Sequence, residues 1–137
     1  MLKGISPLLS PELLKLLCAM GHGDYIVFAD AHFPAYSIGP QVLHTDVQSV
    51  TEMLAAVAPL WELDPYVDAP LVMMTPVPGD HLDVDLAHEV ARIMGHETSY
   101  MERFAFYEKA KKAFAIVQTG ELRTYGNVII QKGIIHP

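Results

Sequence analysis

Residues 21–34 read GHGDYIVFADAHFP, an apolar run from Tyr25 to Ala29 with a glycine-flanked His22 and Asp24 before it and Asp30, His32 and Pro34 after it. Apolar runs of this length, rich in β-branched and aromatic residues, form buried strands. The run therefore predicts a central strand with polar residues crowded at both ends. In open α/β sheets ligands collect beyond the carboxyl ends of strands, where Asp30 and His32 project. This stretch is the candidate site.

The flanking chain alternates helical and extended patterns. Upstream, Ser10-Pro11-Glu12 is a helix start: a hydroxyl cap, a proline at the first helical position and an acid in the first turn. Leu13, Leu17 and Met20 then share one face, and Gly21 is expected to end the helix in a left-handed conformation. Downstream, Pro34, Gly39 and Pro40 mark a loop leading to a short extended piece at Val42 to His44. Ser49-Val50-Thr51-Glu52 has the capping-box pattern and opens a helix that Pro59 ends or kinks. Leu71 to Val77 predicts a second buried strand, and Asp83 caps a helix that Gly95 closes, with Leu86, Val90 and Ile93 inward. Arg103 to Ala105 predicts a short strand. From Phe106 the spacing Ala110, Ala113, Phe114, Val117 predicts a helix with a Glu108–Lys112 pair and a stop at Gly120, and Val128 to Gln131 predicts the last strand. The pattern is α/β: a layered sheet with helices on both faces, in one domain spanning 1–137.

Composition narrows the function classes. A chain of 137 residues, 51% hydrophobic and 18% charged, is the size of one domain with a real core. The net charge of −7, with few clustered cations beyond Lys109, Lys111 and Lys112, argues against a nucleic-acid partner. The single Cys18 excludes an intramolecular disulfide and fits a reducing, cytoplasmic compartment; beside Leu17 and Met20 it is expected to be a packed thiol. Pro7, Pro11 and Lys15 interrupt the start before a signal-like apolar stretch develops, and no apolar run approaches the ~18 residues of a membrane span.

Several polar residues have more than one use. His22 between two glycines lets backbone and imidazole approach a ligand, or is a surface turn residue. Asp24 orients that ring or solvates the turn. Asp30 ends an apolar run, where a charge must be solvated, paired or bound. His32, two residues on, faces the same side in extended chain or packs in the loop. Arg103 among aromatics needs an acceptor, from the protein or from ligand hydroxyls. Tyr125-Gly126-Asn127 is a turn or a hydrogen-bonding rim for a polyhydroxylated ligand. Asp80, Asp83 and Asp85 read as a solvated loop and helix cap. Of Trp61, Tyr66 and Tyr100, aromatics of the kind enriched at interfaces, Trp61 also fits a core position.

Seven blocks carry a resemblance: GHGD (21–24), DAHFPA (30–35), GPQV (39–42), PLVMM (70–74), RFAFYEKA (103–110), AFAIVQTGE (113–121) and YGN (125–127). In order and nearly end to end, they resemble the family that holds D-ribose pyranase and L-fucose mutarotase. His32 and Phe33 in DAHFP, with RFAFYE, side with the fucose branch. Residues 80–100 follow no family block and leave the outer wall of the site open. The resemblance implies a ring-forming α/β subunit, a homo-oligomer that is decameric in bacterial members, with sites at subunit contacts. It implies interconversion of the α and β anomers of L-fucose without metal or cofactor. It places the acid/base histidine on His22 and substrate contacts on Asp30, Arg103, Tyr125, Gly126 and Asn127, with Asp30 and Tyr125 as further candidates for proton transfer. Three other functions share these residues: a metal-dependent hydrolase or isomerase using His22, Asp30, His32 and His44; a non-catalytic sugar-binding module; and a D-ribose pyranase.

Overall fold

A computed structural model describes residues 1–137. The elements are α1 (Pro11–Ala19), β1 (Tyr25–Ala29), α2 (Ala35–Ile38), β2 (Val42–His44), α3 (Val50–Val57), a 3-10 turn (Ala58–Leu60), β3 (Leu71–Met74), α4 (Val84–Met94), β4 (Ser99–Met101), α5 (Arg103–Lys111), β5 (Ala115–Gln118) and β6 (Val128–Gln131). One six-stranded sheet runs in the order β2-β5-β1-β6-β3-β4. Strand β1 is parallel to β5, β5 to β2 and β3 to β4, whereas β6 runs antiparallel to both β1 and β3.

Alternation along β1 builds both layers, because successive side chains of a strand point to opposite faces. Ile26 and Phe28 join Leu13 and Leu17 of α1, Met53 and Leu54 of α3, and Leu86 and Val90 of α4 in a cluster of 22 buried residues. Val27 and Ala29 join Phe106 and Ala110 of α5 in a second cluster of 11. The second face is thus thinly covered, by α5 and the single turn α2. Each fully buried side chain such as Phe28 contributes about 1.5–3 kcal/mol of hydrophobic stabilisation.

The caps expected of Ser10, Ser49 and Asp83 form, each accepting from the backbone N–H three residues on. Gly95 closes α4 at φ 64°. Six expectations are corrected. Gly21 is not left-handed: α1 ends on extended Met20, and the positive φ falls on Gly23 (86°), between His22 and Asp24. Strand β3 stops at Met74 rather than Val77. Arg103 to Ala105 open helix α5 instead of forming a strand, because the Glu102 carboxylate accepts from the N–H groups of Phe104 and Ala105. The helical spacing seen from Phe106 to Val117 breaks at Lys111, since Ala115–Gln118 is drawn into the sheet between β1 and β2. Glu108 pairs with Lys111, not Lys112. Cys18 is exposed, since α1 buries only the stripe of Leu13 and Leu17 beside it. No helix is long and apolar enough to cross a membrane.

Candidate active site

The antiparallel run of β6 assembles the site. Val128 pairs with Phe28, so the residues entering β6, Gly126 and Asn127, lie against Asp30 as it leaves β1. Asn127 Oδ1 accepts from Asp30 N at 2.9 Å, and its Nδ2 donates to Asp30 Oδ2 at 3.2 Å. Gly126 N donates to the same oxygen at 3.2 Å, and His32 N donates to Oδ1 at 3.0 Å. Asp30 is 3% exposed. Burial pushes its carboxyl above the ordinary value of 3.8, against the lowering effect of the His32 and Gly126 bonds.

Beyond Asp30 opens a cleft of about 250 Å³ lined by Asp30, His32, Arg103, Asp80, Tyr125 and Asn127, with Phe33, Met74, Tyr107 and Thr124 completing the wall. It lies near the lower end of small-molecule pockets, about 300–1,000 Å³, which suits a single-ring ligand. Arg103 sits 5.1 Å from the Phe104 ring centroid and 5.6 Å from that of Tyr107, and no hydrogen bond or ion pair within the chain holds its guanidinium. Its five donors remain available for ligand hydroxyls. Tyr125 carries the one positive φ of any non-glycine residue, 60°. Its hydroxyl donates to Asp80 and accepts from Val77 N at 3.3 Å. The bond to Asp80 raises the phenol above its ordinary value of 10.0, so the hydroxyl keeps its proton near neutrality. Gly126 serves close packing rather than positive φ: a Cβ there would come within 3.0 Å of Glu121 Cγ and 3.1 Å of Arg123 O.

A buried carboxylate anchors the loop that carries Tyr125 to Asn127. Glu121, 4% exposed, accepts from Arg123 N and Nε at 3.0 Å, from Arg123 Nη2 at 2.8 Å and from Val50 N at 3.1 Å. Its backbone carbonyl accepts from Ala31 N at 2.9 Å. Burial opposes ionisation of Glu121, but the bonds from Arg123 and Val50 outweigh it and hold the carboxyl below its ordinary 4.5. A carboxyl depressed in the native state stabilises the fold above its unfolded value and loses that contribution as pH falls through the native one. Glu121→Gln is expected to cost about 1–3 kcal/mol at neutral pH, since a buried donor is left unmet. Urea titrations at neutral and acid pH check this: the deficit should shrink on acidification, and one that grows refutes the clamp.

His22 lies elsewhere. It precedes β1 while Asp30 follows it, so the five residues of β1, at about 3.3 Å each, put roughly 17 Å between them. His22 Nε2 is 3.1 Å from Asp64 Oδ1, and the ring lies 5.4 Å from that of Tyr66. Asp24 accepts from Gly21 N at 2.7 Å and shapes the turn without touching the imidazole. The single chain therefore gathers Asp30, Arg103, Tyr125 and Asn127 around one cleft, leaves Gly126 outside the lining with its N–H on Asp30, and places His22 at the opposite end of the sheet. His32 is the cleft's own imidazole. Asp80 is not the solvated loop acid the sequence suggests but a cleft residue bonded to Tyr125, and Asp64 escaped sequence reasoning altogether, because their partners lie 45 and 42 residues away. The one local signal was the prolyl turn beside each, Pro78-Gly79 and Pro65.

A polar, single-ring cleft beyond the carboxyl end of a central strand, with charged and amide groups around it, defines a small-ligand α/β domain suited to hydroxyl-rich molecules. The chain belongs to the RbsD / FucU transport protein family, which it matches over residues 3–135. It is 40% identical to the fucose mutarotase of Streptococcus pneumoniae, solved in complex with L-fucose, with 98% of this chain and 100% of that one aligned at a TM-score of 0.92. FucU from Bifidobacterium longum is also 40% identical, over 96% of this chain and 100% of its own, at a TM-score of 0.91. Bacillus subtilis RbsD, complexed with D-ribose, shares the fold at 23% identity, 99% and 100% coverage and a TM-score of 0.81.

Proposed function

We propose that this chain is an L-fucose mutarotase, an isomerase that exchanges the α and β anomers of the sugar. What carries the assignment is the cleft of Asp30, Arg103 and Asn127 in a chain 40% identical, end to end, to a fucose mutarotase that holds L-fucose. Anomer exchange needs one proton removed from the C1 hydroxyl and one delivered to the ring oxygen. The C1–ring-oxygen bond then opens to the aldehyde, the C1–C2 bond rotates, and closure on the other face returns both protons. No electrons are gained or lost, so acid–base groups suffice, worth on the order of 10²–10⁴ in rate.

In this assignment Asp30 accepts a sugar hydroxyl and exchanges a proton, burial holding its carboxyl above the ordinary 3.8. Arg103 and Asn127 fix further hydroxyls, and the Gly126 N–H keeps Asp30 in place. Tyr125 enters as a donor: with its proton shared toward Asp80, it relays protons only together with that carboxylate. His22, the acid/base histidine of this assignment, lies too far from Asp30 within one chain, so it serves the cleft of an adjoining copy. Two exposed aromatic patches fit such a contact: Tyr66 beside His22, and Phe104 beside Arg103 at the cleft. Head-to-tail contacts of this kind close into a ring, and we take that ring to be a decamer in the cytoplasm.

The deciding experiment is saturation-transfer proton NMR on equilibrated L-fucose. Catalytic amounts of protein should speed transfer between the two anomeric signals, with chelator making no difference and D-ribose responding less. Saturable fucose binding without faster exchange would replace the enzyme with a sugar-binding module.

A further inference from the structure

We infer that Lys132 is a positioning residue for His22: its ammonium and its backbone together fix both ends of the turn that carries the imidazole. The effect on turnover rests on the mutarotase function proposed above; the hold on the turn does not.

The turn needs a hold from outside. Helix α1 ends at Ala19, and no basic residue stands in its last turn to meet the open carbonyls there. Leu17 O lacks its helical donor, because Gly21 N turns away to Asp24 Oδ2 at 2.7 Å. Lys132, just past β6, reaches both open groups: Nζ donates to Leu17 O at 2.6 Å and to Met20 O at 2.8 Å. Its charge thus sits at the negative end of the helix and 5.7 Å from the Trp61 ring centroid.

The same residue holds the other side of the turn. Lys132 N donates to Asp24 O and Gly23 N donates to Lys132 O, each at 2.8 Å. One residue is therefore bonded to Leu17 and Met20 before His22 and to Gly23 and Asp24 after it. His22 itself makes no backbone hydrogen bond and has a glycine on either side, so its own backbone does not fix where the imidazole stands. Behind Lys132 the chain is stiff: Gly133 N donates to Glu62 O at 2.8 Å, and a Cβ on Gly133 would come within 2.7 Å of Leu63 O. Any residue at 132 supplies the two backbone bonds, but only a long cation supplies the other two. Without the ammonium the turn is held from the β6 side alone. An imidazole that serves the cleft of an adjoining copy feels that slack directly, because a displacement of about 1 Å at a reacting group can cost as much as 10²-fold in rate.

The test is Lys132→Met, which keeps most of the side chain's length and removes the ammonium, with Lys132→Gln as a second variant. In histidine-labelled, full-length protein, the His22 ring signals, identified by their loss in His22→Ala, should broaden or split while those of His32 stay in place. Turnover on L-fucose should fall roughly 10-fold or more with KM near native, since the proposed sugar-binding groups stand at the other end of the sheet. Leu13→Ala, in the buried face of the same helix, controls for stability alone: it should lower the melting temperature and keep both kcat and the His22 signals. Unchanged His22 signals in a folded Lys132 variant overturn the inference. So does native kcat in such a variant, or an equal loss of kcat in Leu13→Ala. Should neither Lys132 variant fold, the ammonium signal of Lys132 in the unaltered protein decides: protons slow to exchange with water are expected, and a freely exchanging ammonium overturns the hold. Absence of any anomer exchange by the unaltered protein would remove the mutarotase and leave the His22 signals to decide alone.

Discussion

His22→Ala is expected to slow L-fucose anomer exchange by about 10²–10⁴-fold, the range general acid–base catalysis supplies, while sugar still binds. The proposed binding groups Arg103, Asn127 and Asp30 stand at the other end of the sheet, so removing this imidazole leaves the cleft of the same chain intact. The separation supplies a stronger test than activity alone. If the histidine of one copy works in the cleft of the next, His22→Ala and Asp30→Asn chains are each inactive alone but complement when mixed during refolding or co-expression. Random mixing in equal amounts restores about a quarter of the sites, half with an intact cleft times half of those with an intact neighbour. Saturation transfer on the mixture measures this directly. No recovery would confine both residues to one chain or one role. Near-native exchange in His22→Ala, together with loss of exchange in His32→Ala, would pass the acid/base role to His32, the imidazole already in the cleft.

Most of the fold was legible because it is written in local patterns. The runs Tyr25–Ala29 and Val128–Gln131 are strands with the limits their apolar content sets, and the caps at Ser10, Ser49 and Asp83 need only neighbouring residues. The failures come where a distant partner outweighs a local pattern. Ala113 to Val117 has helical spacing, yet β5 pairs with both β1 and β2, and two ladders outweigh a weak propensity. Arg103 sat in an aromatic run with strand content, but Glu102 capping two N–H groups settled a helix. For the site, the end of β1 identified Asp30, since a carboxylate closing a buried run needs partners. What the sequence could not tell was that β6 returns antiparallel. That one fact brings Asn127 onto Asp30 at one end of β1 and Gln131 onto Asp64 at the other.

Asp30→Asn carries the second large effect, a loss of roughly 10²-fold or more in kcat/KM for L-fucose, because bonds to a charged group are worth about 1.5–3 kcal/mol each. The carboxylate accepts from His32 N, Gly126 N and Asn127 Nδ2 at once; an amide nitrogen in place of Oδ2 would confront two donors. Fold stability should drop by about 1–3 kcal/mol for the unmet donor, so circular dichroism melts accompany the kinetics. The pH dependence separates chemistry from stability. The native carboxyl lies above the 3.8 of the unfolded chain. Between the two values the native state holds the extra proton, so this group's contribution to stability falls as pH rises through that window. Activity should run the other way, climbing as pH rises through the raised native value, because the ionised carboxylate is the form that accepts a sugar hydroxyl. The acid limb of kcat/KM therefore sits above the ordinary 3.8 in the unaltered protein and disappears in Asp30→Asn. Should the variant keep both the limb and the rate, Asp30 would be a structural acid that joins β1 to β6, and the proton traffic would fall to His22 and the Tyr125–Asp80 pair.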